Sequence, residues 1–160
     1  MYFPALVPNE LSLINFLPTR ATADILVQEY WTRVHPVTDI VHRPSFERQY
    51  IRFWQTASTG YEPTFSTQAL VLATFFAAVT SMPSSMLMSK IGAVKQDMVK
   101  NLQAAVEFAL SKANVLKTTK TETLQAVTMY LVRMSMTITS IVLTLFSSRF
   151  VAKRCVEPMA

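Results

Sequence analysis

The sequence predicts an all-α protein, an irregular helical array that is an incomplete part of a larger helical domain. Three observations predict it. Apolar residues recur at helical spacing through most of the 160 residues. Only two glycines occur, Gly60 and Gly92, which argues against tight hairpins and phosphate-cradling loops. Hydrophobic residues make up 51% and charged residues 16%, so there is ample apolar surface to bury. Nine methionines and ten phenylalanines supply a bulky, adaptable core.

Five helical segments follow in order. The first opens after Pro18, with Thr19 as its N-cap. It sets Ile25, Leu26, Tyr30, Trp31 and Val34 on one side and Asp24, Gln28, Glu29 and Arg33 on the other. The stretch His35 to Tyr50, HPVTDIVHRPSFERQY, is then a rigid elbow. Proline disfavours helix in the residue before it and suits a first helical turn. Pro36 is therefore expected to stop the first helix, Val37 to Val41 to be extended, and Pro44 to start the second. That second helix carries Phe46, Tyr50, Phe53 and Trp54 on one stripe, with Glu47, Arg48 and Arg52 facing away.

After a loop at Gly60 and Pro63, Ser66 or Thr67 caps a third helix that is apolar all round and ends near Met82-Pro83. Such a helix belongs at the centre, covered on several sides. A fourth, over Lys90 to Ala113, aligns Ile91, Val94, Met98, Leu102, Ala105 and Ala109, and leaves Lys95, Lys100, Gln103 and Glu107 outside the stripe. A fifth begins with the capping-box pattern Thr119-x-x-Glu122 and continues through Leu124, Val127, Leu131 and Met134. Met136 to Phe150 is rich in β-branched residues; it allows a strand, the end of the fifth helix or an unmatched tail.

The chemistry-bearing residues are few. His35, Asp39 and His42 form H-x3-D-x2-H, which on a continuous helix could gather metal ligands. In a proline-interrupted elbow each imidazole is instead expected to bond a backbone group near a helix end. Cys155 is the single cysteine, so neither an intrachain disulfide nor a cysteine zinc cluster can form, and it reads as a surface thiol. There is no G-x-S-x-G elbow and no Walker or dinucleotide glycine pattern. No catalytic, cofactor-binding or metal residue is expected, and the chain does not read as an enzyme. The net charge of +5 is scattered, which favours solubility over a dedicated nucleic-acid groove. The start, MYFPALVPNE, lacks the pattern of a secretory signal. Ala69 to Val79 and Ile138 to Phe146 are strongly apolar, so a membrane-associated helical protein without enzymatic activity is the alternative reading. Pro83 and polar flanks keep the first run short of the roughly 20 residues a span needs, and membrane contact is the lesser expectation.

Several features coincide in order: Leu17-Pro18-Thr19, Tyr30-Trp31, His35-Pro36, Ile40-Val41, and His42-Arg43-Pro44-Ser45-Phe46. Together they resemble the opening of the fungal-specific transcription factor domain, the helical middle region of fungal zinc binuclear cluster regulators. Glu122 to Val132 resembles that family's recurrent leucine-gln-alanine helix, and Ala104 to Leu116 the helix before it. The resemblance implies a lead-in over 1–15, a partial regulatory helical domain over 16–134 and a divergent tail over 135–160 of a fragment. It implies regulation of transcription in the nucleus, through protein partners or a small effector. It places zinc and sequence-specific DNA binding in a cysteine-rich module that this chain lacks, so no cofactor and no such DNA binding are expected here. His35, Pro36, His42, Arg43, Pro44 and Phe46 are then an architectural signature, with Arg43 expected to cap a neighbouring helix or pair with Asp39.

Overall fold

The computed structural model describes residues 17–154 other than 116 and 118, with side chains other than those of 137, 138 and 140–154. The helices are Arg20–Glu29 (α1), His35–Thr38 (α2), Arg43–Ser58 (α3), Phe65–Ser81 (α4), Ser84–Ile91 (α5), Lys95–Lys112 (α6) and Thr121–Arg154 (α7). A π-helical turn, Tyr30–Val34, joins α1 to α2. The described residues contain no strand, and the fold is all-α.

Helix α4 decides the arrangement. Every residue from Gln68 to Val79 is buried, so no side of the helix faces water. Helices α6 and α7 pack along it, and α1, the π turn and α3 close the remaining sides. This is the central helix that its all-round apolar sequence predicts. Its few polar groups are satisfied within the chain. Gln68 Nε2 donates to the Pro63 carbonyl at 2.6 Å, and Thr74 Oγ1 donates to the Leu70 carbonyl at 2.9 Å. The N-cap is Thr64 and not Ser66 or Thr67; its hydroxyl meets that of Thr67 at 3.0 Å.

The end of α4 corrects the reading of Lys95. Its ammonium donates to the carbonyls of Thr80 and Met82 at 3.1 and 2.5 Å, two groups that a helix C-terminus leaves without partners. Burial and then the neighbouring Arg133 lower the Lys95 pKa. Lys95 is thus a cap folded inward, where the spacing alone had put it on the outer face.

The expected fourth helix is two. Pro83 permits a new helix to start at once, and α5 ends at Gly92, whose φ of +71° suits glycine and whose N–H donates to the Met88 carbonyl at 2.9 Å. Val94, counted in the stripe, lies in the break and is exposed. The buried face of α6 is Leu102, Ala105, Val106, Ala109 and Leu110. Helix α7 turns inward only part of the predicted row, Val127 and Met134, which pack against the core. Thr123, Ala126 and Met129 are buried, whereas Leu124 and Leu131 are 51% and 59% exposed. Small Thr123 and Ala126 let the backbone of α7 approach α4, which a row of leucines would not. Glu122 accepts from Gln49 Nε2 at 3.1 Å and ties α7 to α3, and Tyr130 Oη donates to Glu107 and ties it to α6. The helix runs on to Arg154, so Met136 to Phe150 continues the fifth helix. Among the described residues no helix is long and apolar enough to cross a membrane.

Phe76, 1% exposed on α4, tests this central packing. Phe76→Ala should cost about 3–5 kcal/mol in urea denaturation, the range for emptying a core aromatic site.

Candidate functional site

The elbow is helical at Val37 and Thr38, where extended backbone was expected over Val37 to Val41. Proline within a helix lacks an N–H donor and presses its ring on the carbonyl four residues back. The π turn relieves both problems for Pro36. The hydrogen-bond register widens by one residue there, with the His35 N–H donating to the Tyr30 carbonyl, so the ladder no longer calls on the proline. Helix α2 then continues to Thr38 and stops at Asp39, which adopts the left-handed conformation at φ +35°. Asp tolerates that region better than most residues. Val41 is buried, His42 is the N-cap of α3, and Pro44 occupies its first turn as the sequence predicts.

Three rings and one cation converge on Trp31. Tyr30 lies at 5.0 Å, His35 at 4.8 Å and Phe46 at 5.6 Å between ring centroids, each close to edge-on. The Arg43 guanidinium stands 5.3 Å from the centre of the Trp31 ring and donates from Nε to Glu47 Oε1 at 2.8 Å. Arg43 therefore neither caps a neighbouring helix nor pairs with Asp39. Phe46 continues the cluster by stacking on Tyr50 at 5.8 Å. Burial pushes the Tyr30 phenol pKa up to about 12, so it remains a neutral wall at any physiological pH.

The two histidines do not share a ligand. His35 Nε2 is 3.4 Å from Asp39 Oδ1, the contact that one helical turn provides, and its Nδ1 is buried without a protein hydrogen-bond partner. His42 Nδ1 meets Ser45 Oγ at 3.0 Å, while the His42 carbonyl accepts the N–H groups of Ser45 and Phe46, both at 3.1 Å. The imidazoles thus bond side chains and not the expected backbone groups. Among the described residues no three of His, Cys, Asp and Glu are gathered as metal ligands would be. Cys155 lies outside the described residues.

Beside the elbow, α1 and α3 leave a cleft of ≈ 330 Å³ lined by Asp24, Val27, Gln28, Trp31, Thr32, Arg43 and Glu47. Asp24 is held by Tyr50 Oη, which donates to its Oδ1 at 2.7 Å; burial first and this bond second raise the Tyr50 pKa. The cleft offers carboxylates, an amide, a hydroxyl, a guanidinium and an indole edge. None of its lining groups forms a nucleophile with an adjacent base, and the arrangement suits recognition better than bond making.

A second polar cluster fastens the elbow to α5. Glu29, placed on the outer face by helical spacing, is 6% exposed and accepts from Lys90 Nζ and, at 2.7 Å, from Arg33 Nε. Arg33 also reaches the Met86 sulfur at 3.1 Å. The hydrogen bonds from Lys90 and then Arg33 hold the Glu29 carboxyl below its ordinary pKa, against the opposing effect of burial. Sequence reasoning missed Glu29 and Lys90 because their 61-residue separation leaves no local signal. It named Trp31 as one member of a stripe and, with Tyr30, as one feature of the resemblance; an indole beside tyrosine and four residues before histidine was the signal for a hub.

The fold and the elbow together describe a helical scaffold built for contacts. The family model of the fungal specific transcription factor domain matches residues 27–154, and the chain belongs to that family. The match includes the elbow and continues through 135–154, which the sequence alone set apart as divergent. The chain is 36% identical over 111 residues to the C6 finger domain transcription factor nscR of Arthroderma gypseum, covering 67% of this chain and 15% of that protein. It is 32% identical over 106 residues to the aurofusarin cluster transcription factor aurR2 of Gibberella zeae, covering 66% and 15%. An uncharacterized transcriptional regulatory protein of Schizosaccharomyces pombe is 27% identical over 126 residues, covering 78% and 20%. The chain thus spans about a sixth of the length of these curated relatives. No solved structure matches it.

With Trp31 as the hub, Trp31→Ala should cost about 2–3 kcal/mol in denaturant unfolding, less than a fully buried aromatic because the indole is partly buried. Arg43→Gln, which removes an exposed cation–π and ion pair, should cost under about 1 kcal/mol. Glu29 predicts a pH dependence. Its folded pKa lies below the unfolded value, so its contribution is complete above the unfolded pKa of about 4.3 and is lost as pH falls through the folded one. Unfolding stability measured from pH 7 down to pH 3 should fall more steeply for the native chain than for Glu29→Gln.

Proposed function

We propose that this chain is a regulatory segment of a fungal transcription factor, acting in the nucleus through protein or small-effector contacts and without touching specific DNA. The observation that carries this reading is the α1–α3 cleft, where the signature residue Arg43 and the hub Trp31 meet Asp24, Gln28 and Glu47. Those groups bind and orient; they do not react. The nuclear setting and the transcriptional role rest on the family, whose relatives reported above are named as transcription factors or as a transcriptional regulatory protein. In relatives named for a C6 finger, that finger would hold the zinc and read the DNA, and this segment would hold no cofactor of its own. Catalytic activity forms no part of the reading. Among the described residues the membrane alternative has no support from helix length.

Sequence-specific binding is the sharpest point to test. A helix in the major groove with side chains on base edges is the usual means of specificity. Three of the basic residues here instead work within the fold: Lys90 and Arg33 on Glu29, and Lys95 on helix carbonyls. In mobility-shift titrations the purified chain should give no sequence-dependent complex, and any residual binding should disappear by about 0.2 M salt as phosphate contacts are screened. A complex that keeps its sequence preference at that salt would sink the proposal.

A further inference from the structure

The cleft between α1 and α3 is lined by three charged side chains, each tethered through one atom with another left open. The Arg43 guanidinium lies over the Trp31 ring and donates from Nε to Glu47 Oε1 at 2.8 Å. Among the described residues its two terminal nitrogens donate to no protein acceptor, and Glu47 Oε2 accepts no hydrogen bond. Asp24 takes the Tyr50 hydroxyl on Oδ1 at 2.7 Å, while its Oδ2 has Arg20 Nε only at 4.0 Å. Groups already pinned by one bond lose little freedom when a ligand takes the other, which is how a site is preorganised.

The mixture of signs narrows what can enter. A simple anion meets Asp24 and Glu47, and a simple cation meets the open edge of Arg43. A ligand that carries both charges avoids both repulsions. We propose that the cleft binds a free α-amino acid with an apolar side chain. Its carboxylate lies across the two terminal nitrogens of Arg43, the planar fork that suits a carboxylate. Its ammonium donates to Glu47 and Asp24, and its side chain rests on Val27 and the edge of the Trp31 indole. The Arg43–Glu47 contact already sets a donor beside an acceptor, and the ligand presents the same pair reversed on one carbon. The assignment rests on the reading of the cleft as an effector site, and it names the effector's chemistry.

Size and exposure agree with a small, weakly held ligand. The ≈ 330 Å³ of the cleft is at the low end of the roughly 300–1,000 Å³ of small-molecule sites. An amino acid inside a polypeptide has lost both charges to its peptide bonds, so the free molecule is selected over a protein segment. The Arg43 and Glu47 side chains are 60% and 51% exposed, so water competes for each. The Kd is accordingly about 0.1–1 mM.

Saturation-transfer NMR titrations of the full chain test this with three probes that share one ring. L-phenylalanine carries both charges, phenylpropionate lacks the ammonium, and phenethylamine lacks the carboxylate. L-phenylalanine should saturate in the range of about 0.1–1 mM, and the other two should bind at least about tenfold more weakly. Arg43→Gln should weaken L-phenylalanine about tenfold, to the level of phenethylamine, and Glu47→Gln should bring it toward phenylpropionate. Both variants should keep the native helical circular dichroism spectrum. Equal binding of the three probes, no saturation by about 10 mM L-phenylalanine, or variants that bind as the native chain does would overturn the proposal. The mobility-shift outcome does not involve the cleft. A chain that fails this titration yet gives no sequence-dependent DNA complex loses the amino acid and keeps the regulatory role.

Discussion

The constraint on which the structure depends is that α4 has no face fit for water. From Gln68 to Val79 all side chains are buried, and a helix of that kind can persist only if other helices enclose it. The remaining elements are arranged by that requirement. Helices α6 and α7 supply small residues, Ala105, Ala109 and Ala126, where they approach it. Helix α3 supplies bulk, with Tyr50 edge-on to Phe75 at 6.5 Å. The helix ends are handled separately, by Gln68 at the start and by Lys95 at the finish.

The elbow solves a different problem, that of holding α1 and α3 at a fixed angle while both lean on α4. Two prolines alone would give stiff segments without a fixed relation between them. Trp31 supplies the relation, because the residues on either side of the bend, His35 before it and Phe46 after it, contact the same indole. Glu29 with Arg33 and Lys90 then fastens the outer side of α1 to α5. A buried carboxylate with two cations is costly to desolvate, and its value lies in fixing a geometry more than in adding stability. The cleft beside Trp31 is therefore bounded by elements that are pinned on both sides.

Much of this was legible in the residues. The all-α class, the centrality of α4 and the aromatic stripe of α3 follow from periodicity and composition, which are local properties of the chain. The signature from His35 to Phe46 was legible as identity, and three of its residues, His35, Arg43 and Phe46, meet at Trp31. What was illegible depended on partners distant in sequence. Helical spacing gives Lys95 and Glu29 polar surroundings by default, and only tertiary packing turns them inward. Along α7 periodicity chose Leu124, Val127, Leu131 and Met134; packing keeps Val127 and Met134 and puts the smaller Thr123 and Ala126 inside in place of the two leucines. The π turn was hidden because the rule for proline assumes an α-helical register that the turn abandons.

That turn has a consequence for how the chain tolerates change in length. A π turn is an α-helix with one residue more than its register needs. Taking one residue out of Tyr30–Val34 would return the backbone to ordinary α-helix and leave the elements on either side in nearly their present orientation, because the wide turn already absorbs the extra residue. Forcing the same five residues into α-helical register would instead rotate everything beyond them by about 100° and carry His35 away from the indole. The wide turn thus lets one more residue stand between Glu29 and His35 without redirecting the helix that follows.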